Sequence, residues 1–292
     1  MIPDTLAVDF GTSNSAAAVL DGSRPRRVPV ETGADTLPTA VFFPARGGEM
    51  RIGEAAVAAL TAGEEGRFMR ALKSVLGTGL MHEARPVGGR RRSLSEIVTG
   101  FLAALKGRAE ATTGLAFRHA LSGRPVHFHS RDPQADAQAE ADLRACYLAA
   151  GFETIRFRFE PEAAALATRG GAEGTALIVD IGGGTSDFSA VRGEGGRLRI
   201  LASHGIRLGG TDFDRAVSLA HVMPLLGHGG EMRREFGPGR LPMPPEIFLD
   251  LARWETIPFL YTPETRRAAR DLARLAVEPG KLARLETVLR DE

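Results

Sequence analysis

Ala176-Leu177-Ile178-Val179-Asp180-Ile181-Gly182-Gly183-Gly184-Thr185-Ser186-Asp187 is the stretch that decides the fold. Four apolar residues in a row read as a buried strand, and the strand ends in a carboxylate. Three glycines and a threonine then make a turn, and Ser186 to Arg192 reads as the returning strand. A flexible Gly-rich connection is the bland alternative. It explains neither the two flanking aspartates nor the placement directly after a buried strand.

The same design stands near the start of the chain. Leu6-Ala7-Val8-Asp9-Phe10 is a short apolar run, Gly11-Thr12-Ser13-Asn14-Ser15 a polar turn, and Ala16 to Leu20 apolar again. Further strands are expected at Arg27 to Val30, Thr39 to Phe43, Met50 to Ile52, Val126 to His129, Thr154 to Phe159 and Leu198 to Ser203. Glu54 to Leu76 reads as mostly helical, interrupted near Gly63 and Gly66, and Gly77 to Arg92 as loop. Ser93, with Glu96 three residues on, starts a helix to about Thr113. Pro133 to Ala150 is helical, with Ala139, Leu143, Cys146 and Tyr147 on one face. A helix starts at Pro161, and another from Phe213, after a turn over Leu208 to Asp212. Gly227 to Pro245 reads as loop and Glu246 to Glu292 as helix interrupted at Pro258, Pro263 and Pro279. Strands followed by helices, twice over, predict an α/β architecture with a duplicated core.

Small turn residues let backbone N–H groups approach an anion closely. Thr12 and Ser13 add hydroxyl donors for phosphate oxygens. Asp9 is too negative to touch phosphate, so a cation or its waters must intervene. Mg²⁺ suits this, because it keeps several waters and needs few carboxylates. Taken alone, the first turn reads equally well as an ordinary hairpin with a solvated Asp9. Taken together, the two copies suggest hairpins gripping one polyphosphate from opposite sides. Neither turn is a P-loop, which needs Gly-x-x-x-x-Gly-Lys-Ser/Thr, nor a dinucleotide fingerprint, since the first glycine turn leads back into a strand. Glu160, at a strand end before Pro161, is placed to orient or deprotonate a water; a helix N-terminal acid favoured by the dipole is the alternative. Lys73 is placed to neutralise a transferring phosphoryl group, or else is simply a solvated lysine.

The 292 residues suggest about two domains or large subdomains. Lys and Arg total 37 against 36 acids, so net charge gives no case for nucleic acid or an anionic membrane. Arg90, Arg91 and Arg92 are read as a solvated loop. Cys146 is the one cysteine, so no internal disulfide forms, which fits a reducing cytoplasm. No stretch approaches the ~18 apolar residues of a membrane span, and Met1 to Thr5 opens no signal peptide.

These motifs resemble the DnaK-type chaperones of the actin-like ATPase superfamily. Asp9 to Ser15 and Asp180 to Asp187 resemble their two phosphate loops. Glu160-Pro161-Glu162-Ala163-Ala164-Ala165-Leu166-Ala167 resembles their connecting helix, and Leu208-Gly209-Gly210-Thr211-Asp212-Phe213-Asp214 their Leu-Gly-Gly-Glu-Asp-Phe-Asp segment. The likeness covers about Leu6 to Arg215. It implies a ribonuclease-H-like duplicated fold with two lobes around a nucleotide cleft. Lobe I would be 1–174, with a small inserted subdomain at about 37–120. Lobe II would be 175–292, with its phosphate loop at about 175–213 and a helical subdomain at about 214–292.

The resemblance also implies ATP and Mg²⁺ as cofactors and ATP hydrolysis as a conformational switch, in the cytoplasm, with a protein client or co-chaperone. Asp9, Asp180 and Asp187 would hold the hydrated ion. Thr12, Ser13, Gly183, Gly184 and Thr185 would contact the β- and γ-phosphates, with Asn14, Gly182 and Gly209 completing that set. Gly210 would lie near the sugar and α-phosphate. Lys73 and Glu160 would position the attacking water, with Asp180 beside them. Thr211 departs from the family's acid. Pro125-Val126-His127-Phe128-His129 replaces its Val-Pro-Ala-Tyr-Phe strand and, with Arg70 to Ser74, is similar to the YegD-like subfamily lacking a peptide-binding domain. The family's adenine-contacting helix and final β-α return are not found before Glu292, so a fragment or a natural truncation is expected, with a bare apolar sheet face where that unit packs. A non-enzymatic interaction module and a sugar-kinase-type phosphotransferase stay open beside the ATPase.

Overall fold

The structure, a computed structural model, describes residues 4–22, 24–169, 173–195 and 197–290. Met1 to Pro3, Asp291 and Glu292, on which the readings of the termini bear, lie outside them. The chain forms two compact units, Met1–Gly209 and Gly210–Glu292.

In the first unit, β1 (Thr5–Phe10), β2 (Asn14–Asp21) and β3 (Arg24–Val28) run as an antiparallel meander, with β4 (Thr36–Pro38) also pairing β2. β5 (Ala40–Pro44), β6 (Arg51–Ile52), α1 (Glu54–Thr61) and β7 (Gly66–Arg70) follow, β5 pairing both β6 and β7. β8 (Arg85–Val87) and β9 (Arg90–Arg92) form a small hairpin before α2 (Leu94–Thr113). β10 (His119–Arg124), α3 (Pro133–Ala149) and β11 (Thr154–Phe159) bring two strands in parallel beside β1, giving the order β11-β10-β1-β2-β3. After α4 (Glu160–Arg169), a second antiparallel meander repeats the first: β12 (Gly174–Ile181), β13 (Ser186–Glu194) and β14 (Arg197–Ile206). The expected α/β class with a duplicated strand-turn-strand core is therefore what forms.

Alternation drives the first sheet. Leu6, Val8 and Phe10 point one way into the core with Ala17 and Val19, where Phe101 meets Phe10 at 5.8 Å between ring centroids. Leu143, Cys146 and Tyr147 of α3 join them, fully buried. The Tyr147 hydroxyl meets Ser122 Oγ at 2.9 Å, so a buried polar pair is satisfied. The Ser93–Glu96 capping box forms as read: Glu96 N donates to Ser93 Oγ at 3.2 Å and Ser93 N to Glu96 Oε2 at 2.6 Å. We predict that Ser93→Ala costs about 1 kcal/mol, seen as a lowered urea midpoint with unchanged slope.

Several elements differ from the sequence reading. The helix expected to Leu76 stops at Thr61: Gly66–Arg70 is strand, and Lys73 sits on a 3-10 turn, Leu72–Val75. Val126 to His129 is not a strand. Pro125 cannot donate to a ladder, and the amides of Val126, Phe128 and His129 go instead to Asp187 and Asp136. The strand is β10, just before. The Arg90 to Arg92 loop is half of a hairpin, and Arg92 lies 4.7 Å from the Phe43 ring centroid. Leu177, Val179 and Ile181 of β12 are exposed.

The second unit holds α5 (Gly210–Val217), α6 (Met223–Leu226), the hairpin β15 (Glu231–Arg233) and β16 (Arg240–Pro242), then α7 (Glu246–Leu251), α8 (Pro263–Leu275) and α9 (Pro279–Arg290). Helix begins at Gly210 rather than Phe213, and a hairpin occupies part of the expected Gly/Pro loop. Pro263 and Pro279 open helices, where a missing N–H costs nothing. Met223, Phe248, Ala269, Leu282 and Leu285 form this unit's own core. Among the described residues no helix is long and apolar enough to cross a membrane.

Candidate functional site

The two hairpins are built in the same register. Phe10 pairs Ser15 and Asp9 pairs Ala16 across the first; Ile181 pairs Ser186 and Asp180 pairs Asp187 across the second. Asp9 and Asp180 thus hold equivalent strand-end positions, each one residue before the last pair and its turn. Gly182 N donates to Thr185 O at 2.9 Å, closing the second turn. In the first, Ser13 O accepts from Thr39 N at 2.8 Å, which ties the turn to the chain entering β5.

The tips of the two turns face each other. A Cβ at Gly183 would stand 2.7 Å from Ser13 Oγ, and one at Gly184 would stand 3.1 Å from Thr12 Oγ1. Side chains on the second turn would crowd the hydroxyls of the first, so glycine lets the two tips approach closely. Gly209 backs the second turn so closely that a Cβ there would lie 2.7 Å from the carbonyl oxygens of Gly182 and Gly183. Ser186 Oγ donates to Leu208 O at 2.7 Å and fixes that backing segment. Thr12, Ser13, Gly183, Gly184 and Thr185 therefore meet, with Gly182 and Gly209 behind them. Asn14 opens β2 with its side chain exposed. Gly210 is the first residue of α5 in the second unit.

Lys73 and Glu160 come together. Lys73 Nζ lies 2.7 Å from Glu160 Oε1, with side chains 8% and 20% exposed. Glu160 opens α4 at the end of β11, and Gly123 on the neighbouring strand leaves it room, since a Cβ there would stand 3.3 Å from Glu160 Cγ. This pair sits in the field of the strand-end aspartates. Withdrawal of water by the surrounding protein raises the Asp9 carboxyl above its ordinary value. Glu160 and Asp180 raise it further and Lys73 opposes them. Asp9 still opens to solvent on one side, so its neighbours and the packed protein, not full enclosure, set its state. Burial and then Glu160 raise Asp180, again against Lys73.

Asp187 is the most enclosed of these carboxylates, 1% exposed. Its Oδ1 accepts from Val126 N at 2.9 Å. Burial pushes its carboxyl from the ordinary 3.8 up to about 6, with Glu160 and Asp180 adding to the rise and the Val126 amide opposing it. The folded chain then holds a proton between about pH 4 and 6 that the unfolded chain has lost. Stability from this group is present at low pH and lost as pH rises through about 6. Asp187→Asn keeps an oxygen for Val126 and removes the charge. We predict a gain of about 1–3 kcal/mol at pH 7 in nucleotide-free, Mg²⁺-free buffer, shrinking to nothing near pH 4. Melting scans across that range check it.

Among the described residues no group of three or more His, Cys, Asp or Glu is placed to hold a metal ion directly. The cluster nevertheless sets four carboxylates, Asp9, Glu160, Asp180 and Asp187, against the single ammonium of Lys73. An uncompensated excess of like charge is what a hydrated divalent cation relieves.

Comparison with known proteins fits this geometry. Residues 83–225 match the family described as Hsp70 protein. Over that stretch the chain resembles Hsp70 proteins. It is 32% identical over 221 residues to the chaperone protein DnaK of Endomicrobium trichonymphae, covering 73% of this chain and 34% of that one. It is 31% identical over 220 residues to the chaperone protein DnaK of Cenarchaeum symbiosum (strain A), covering 73% and 32%. The chain spans about a third of the length of these relatives. The α/β fold, with its repeated meander, is of the Hsp70 actin-like ATPase type.

Some participants left no local signal. Val126, Ser186 and the Ser15–Thr39 hydroxyl pair, 2.8 Å apart and buried, support the turns from a distance. Asp142, a buried acid on the apolar face of α3, was legible only as a misfit in that face.

Proposed function

We propose that this chain binds ATP with a hydrated Mg²⁺ between its two hairpins and hydrolyses it slowly to ADP and phosphate. The apposition of Thr12 and Ser13 with Gly183 and Gly184 carries the reading. Two turns of N–H and hydroxyl donors meeting tip to tip suit a polyphosphate gripped from both sides. Asp9, Asp180 and Asp187 would hold the hydrated ion through its waters, Asp187 with its Oδ1 fixed by the Val126 amide. When bound, the ion supplies positive charge to the β- and γ-phosphate oxygens. Asn14, Thr185, Gly182 and Gly209 shape the donor lining, and Gly210 lies by the sugar and α-phosphate.

Glu160 holds the attacking water, and Lys73, paired to it, meets charge developing on the transferred phosphoryl group. Water attacks the γ-phosphorus, the bond to the β–γ bridging oxygen breaks, and the water's proton passes through Glu160. If the lobes divide at 174/175, within the compact unit Met1–Gly209, each contributes one hairpin, and phosphate loss would change what joins them. That makes hydrolysis a conformational switch, used in the cytoplasm toward a protein client or co-chaperone, as the likeness to DnaK chaperones supports. The Pro125 to His129 departure favours the YegD-like branch.

Following phosphate release from ATP, with and without sugars, tests this. Release with ATP and Mg²⁺ alone is the expected result. ADP formed only with a sugar, without free phosphate, would make it a phosphotransferase. Binding without turnover would leave an interaction module.

A further inference from the structure

Lys73 needs outside help to stay where it is. It rides on a 3-10 turn whose hydrogen bonds are poorer than those of an α-helix. The turn is entered through Ala71 at φ 57°, the only non-glycine residue with positive φ among those described. Such a conformation is unfavourable for a residue with a Cβ and persists only where surroundings impose it.

Two side chains from distant segments supply that constraint. Arg207 Nη2 donates to Ser74 O at 2.8 Å. His129 Nε2 lies 2.7 Å from Leu76 O. Arg207 Nη1 lies 3.0 Å from His129 Nδ1. The partners fix the protons. A carbonyl only accepts, so Nε2 carries the hydrogen; a guanidinium only donates, so Nδ1 is bare. His129 is thus a neutral link in a chain from Arg207 to the Lys73 segment. Beyond it, Gly77 N donates to the buried Asp142 at 3.0 Å, which pins the exit of the same turn.

Arg207 is also one residue before Leu208, whose carbonyl holds Ser186, and two before Gly209, which presses on Gly182 and Gly183. One side chain therefore joins the turn carrying Lys73 to the backing of the second hairpin. We propose that Arg207, with His129, is a positioning residue that keeps Lys73 in register with the Gly182–Thr185 turn. The catalytic half of this rests on the reading of Lys73 given above. Lysine cannot replace Arg207, because one ammonium lacks the planar fork that reaches Ser74 and His129 together.

The test uses the full 292-residue chain. Arg207→Ala should lower kcat for ATP hydrolysis about 10- to 100-fold, the scale of a small misplacement, with KM changed less than about threefold. Arg207→Lys should not restore it, and added guanidinium should restore part. Amide hydrogen exchange over residues 72–77 should quicken in Arg207→Ala and His129→Ala while β1 and α2 stay protected. The His129 ring should show its proton on Nε2 by nitrogen NMR. Should the alanine variant not fold, Arg207→Lys carries the exchange measurement. Unchanged exchange over 72–77, or a His129 proton on Nδ1, overturns the proposal. A parent chain that releases no phosphate sinks the ATPase reading instead, and the clamp is then judged on exchange and tautomer.

Discussion

Glu160→Gln is expected to lower the turnover of ATP by about 10²- to 10⁴-fold while leaving ATP affinity within a few-fold. A group that holds and deprotonates water acts in the transition state, so kcat falls and ground-state binding does not. Glutamine keeps the shape beside Gly123 but loses the charge that pairs with Lys73 at 2.7 Å. Lys73 is not stranded by the change, since Asp9 and Asp180 remain in its field. A melting temperature close to the parent's would therefore accompany the lost rate. Weaker ATP binding at unchanged kcat would instead make the Lys73–Glu160 pair a structural tie at the start of α4.

Asp180→Asn is the second large effect. Asp180 ends a strand beside three glycines, and burial together with Glu160 already resists its ionisation. A carboxylate kept in so unfavourable a place has a use for its charge, and holding a hydrated cation is the use proposed for it. Removing it should lower kcat/KM for Mg·ATP by about 3 kcal/mol, the scale for one preorganised electrostatic contact. The nucleotide-free chain should be no less stable than the parent, because a repelling charge has gone. Loss of activity without loss of stability separates a metal-site role from a packing role. A variant that hydrolyses ATP as fast as the parent would show that the aspartate does not face the ion.

The hairpins were legible because their chemistry is local. A carboxylate at a strand end, a turn of small residues and a returning strand lie within a dozen positions, and Asp9 and Asp180 fell in equivalent registers. The capping box at Ser93 and the buried face of α3 were legible for the same reason. The Lys73 turn was not. Gly66 to Arg70 shows no strand alternation, and it becomes a strand only because β5 lies alongside. Val126 to His129 has strand-like residues, yet carboxylates of α3 and β13 take its amides. β10 hides in His-Ala-Leu-Ser-Gly-Arg, a sequence with one buried alanine and a buried serine whose hydroxyl accepts from Tyr147 and donates to Gly123 O. Arg207 and His129 gave no sign, since their partners lie 133 and 53 residues away.

The central claim is that the two hairpin turns grip the phosphates of a Mg²⁺-bound nucleotide. Calorimetric titration of the 292-residue chain with ATP and with AMP, each with Mg²⁺ and with EDTA, tests it most directly. The account predicts saturable one-to-one binding of ATP that weakens when Mg²⁺ is removed, and no comparable binding of AMP, which lacks the β- and γ-phosphates. AMP bound as tightly as ATP, or ATP binding indifferent to Mg²⁺, would contradict it.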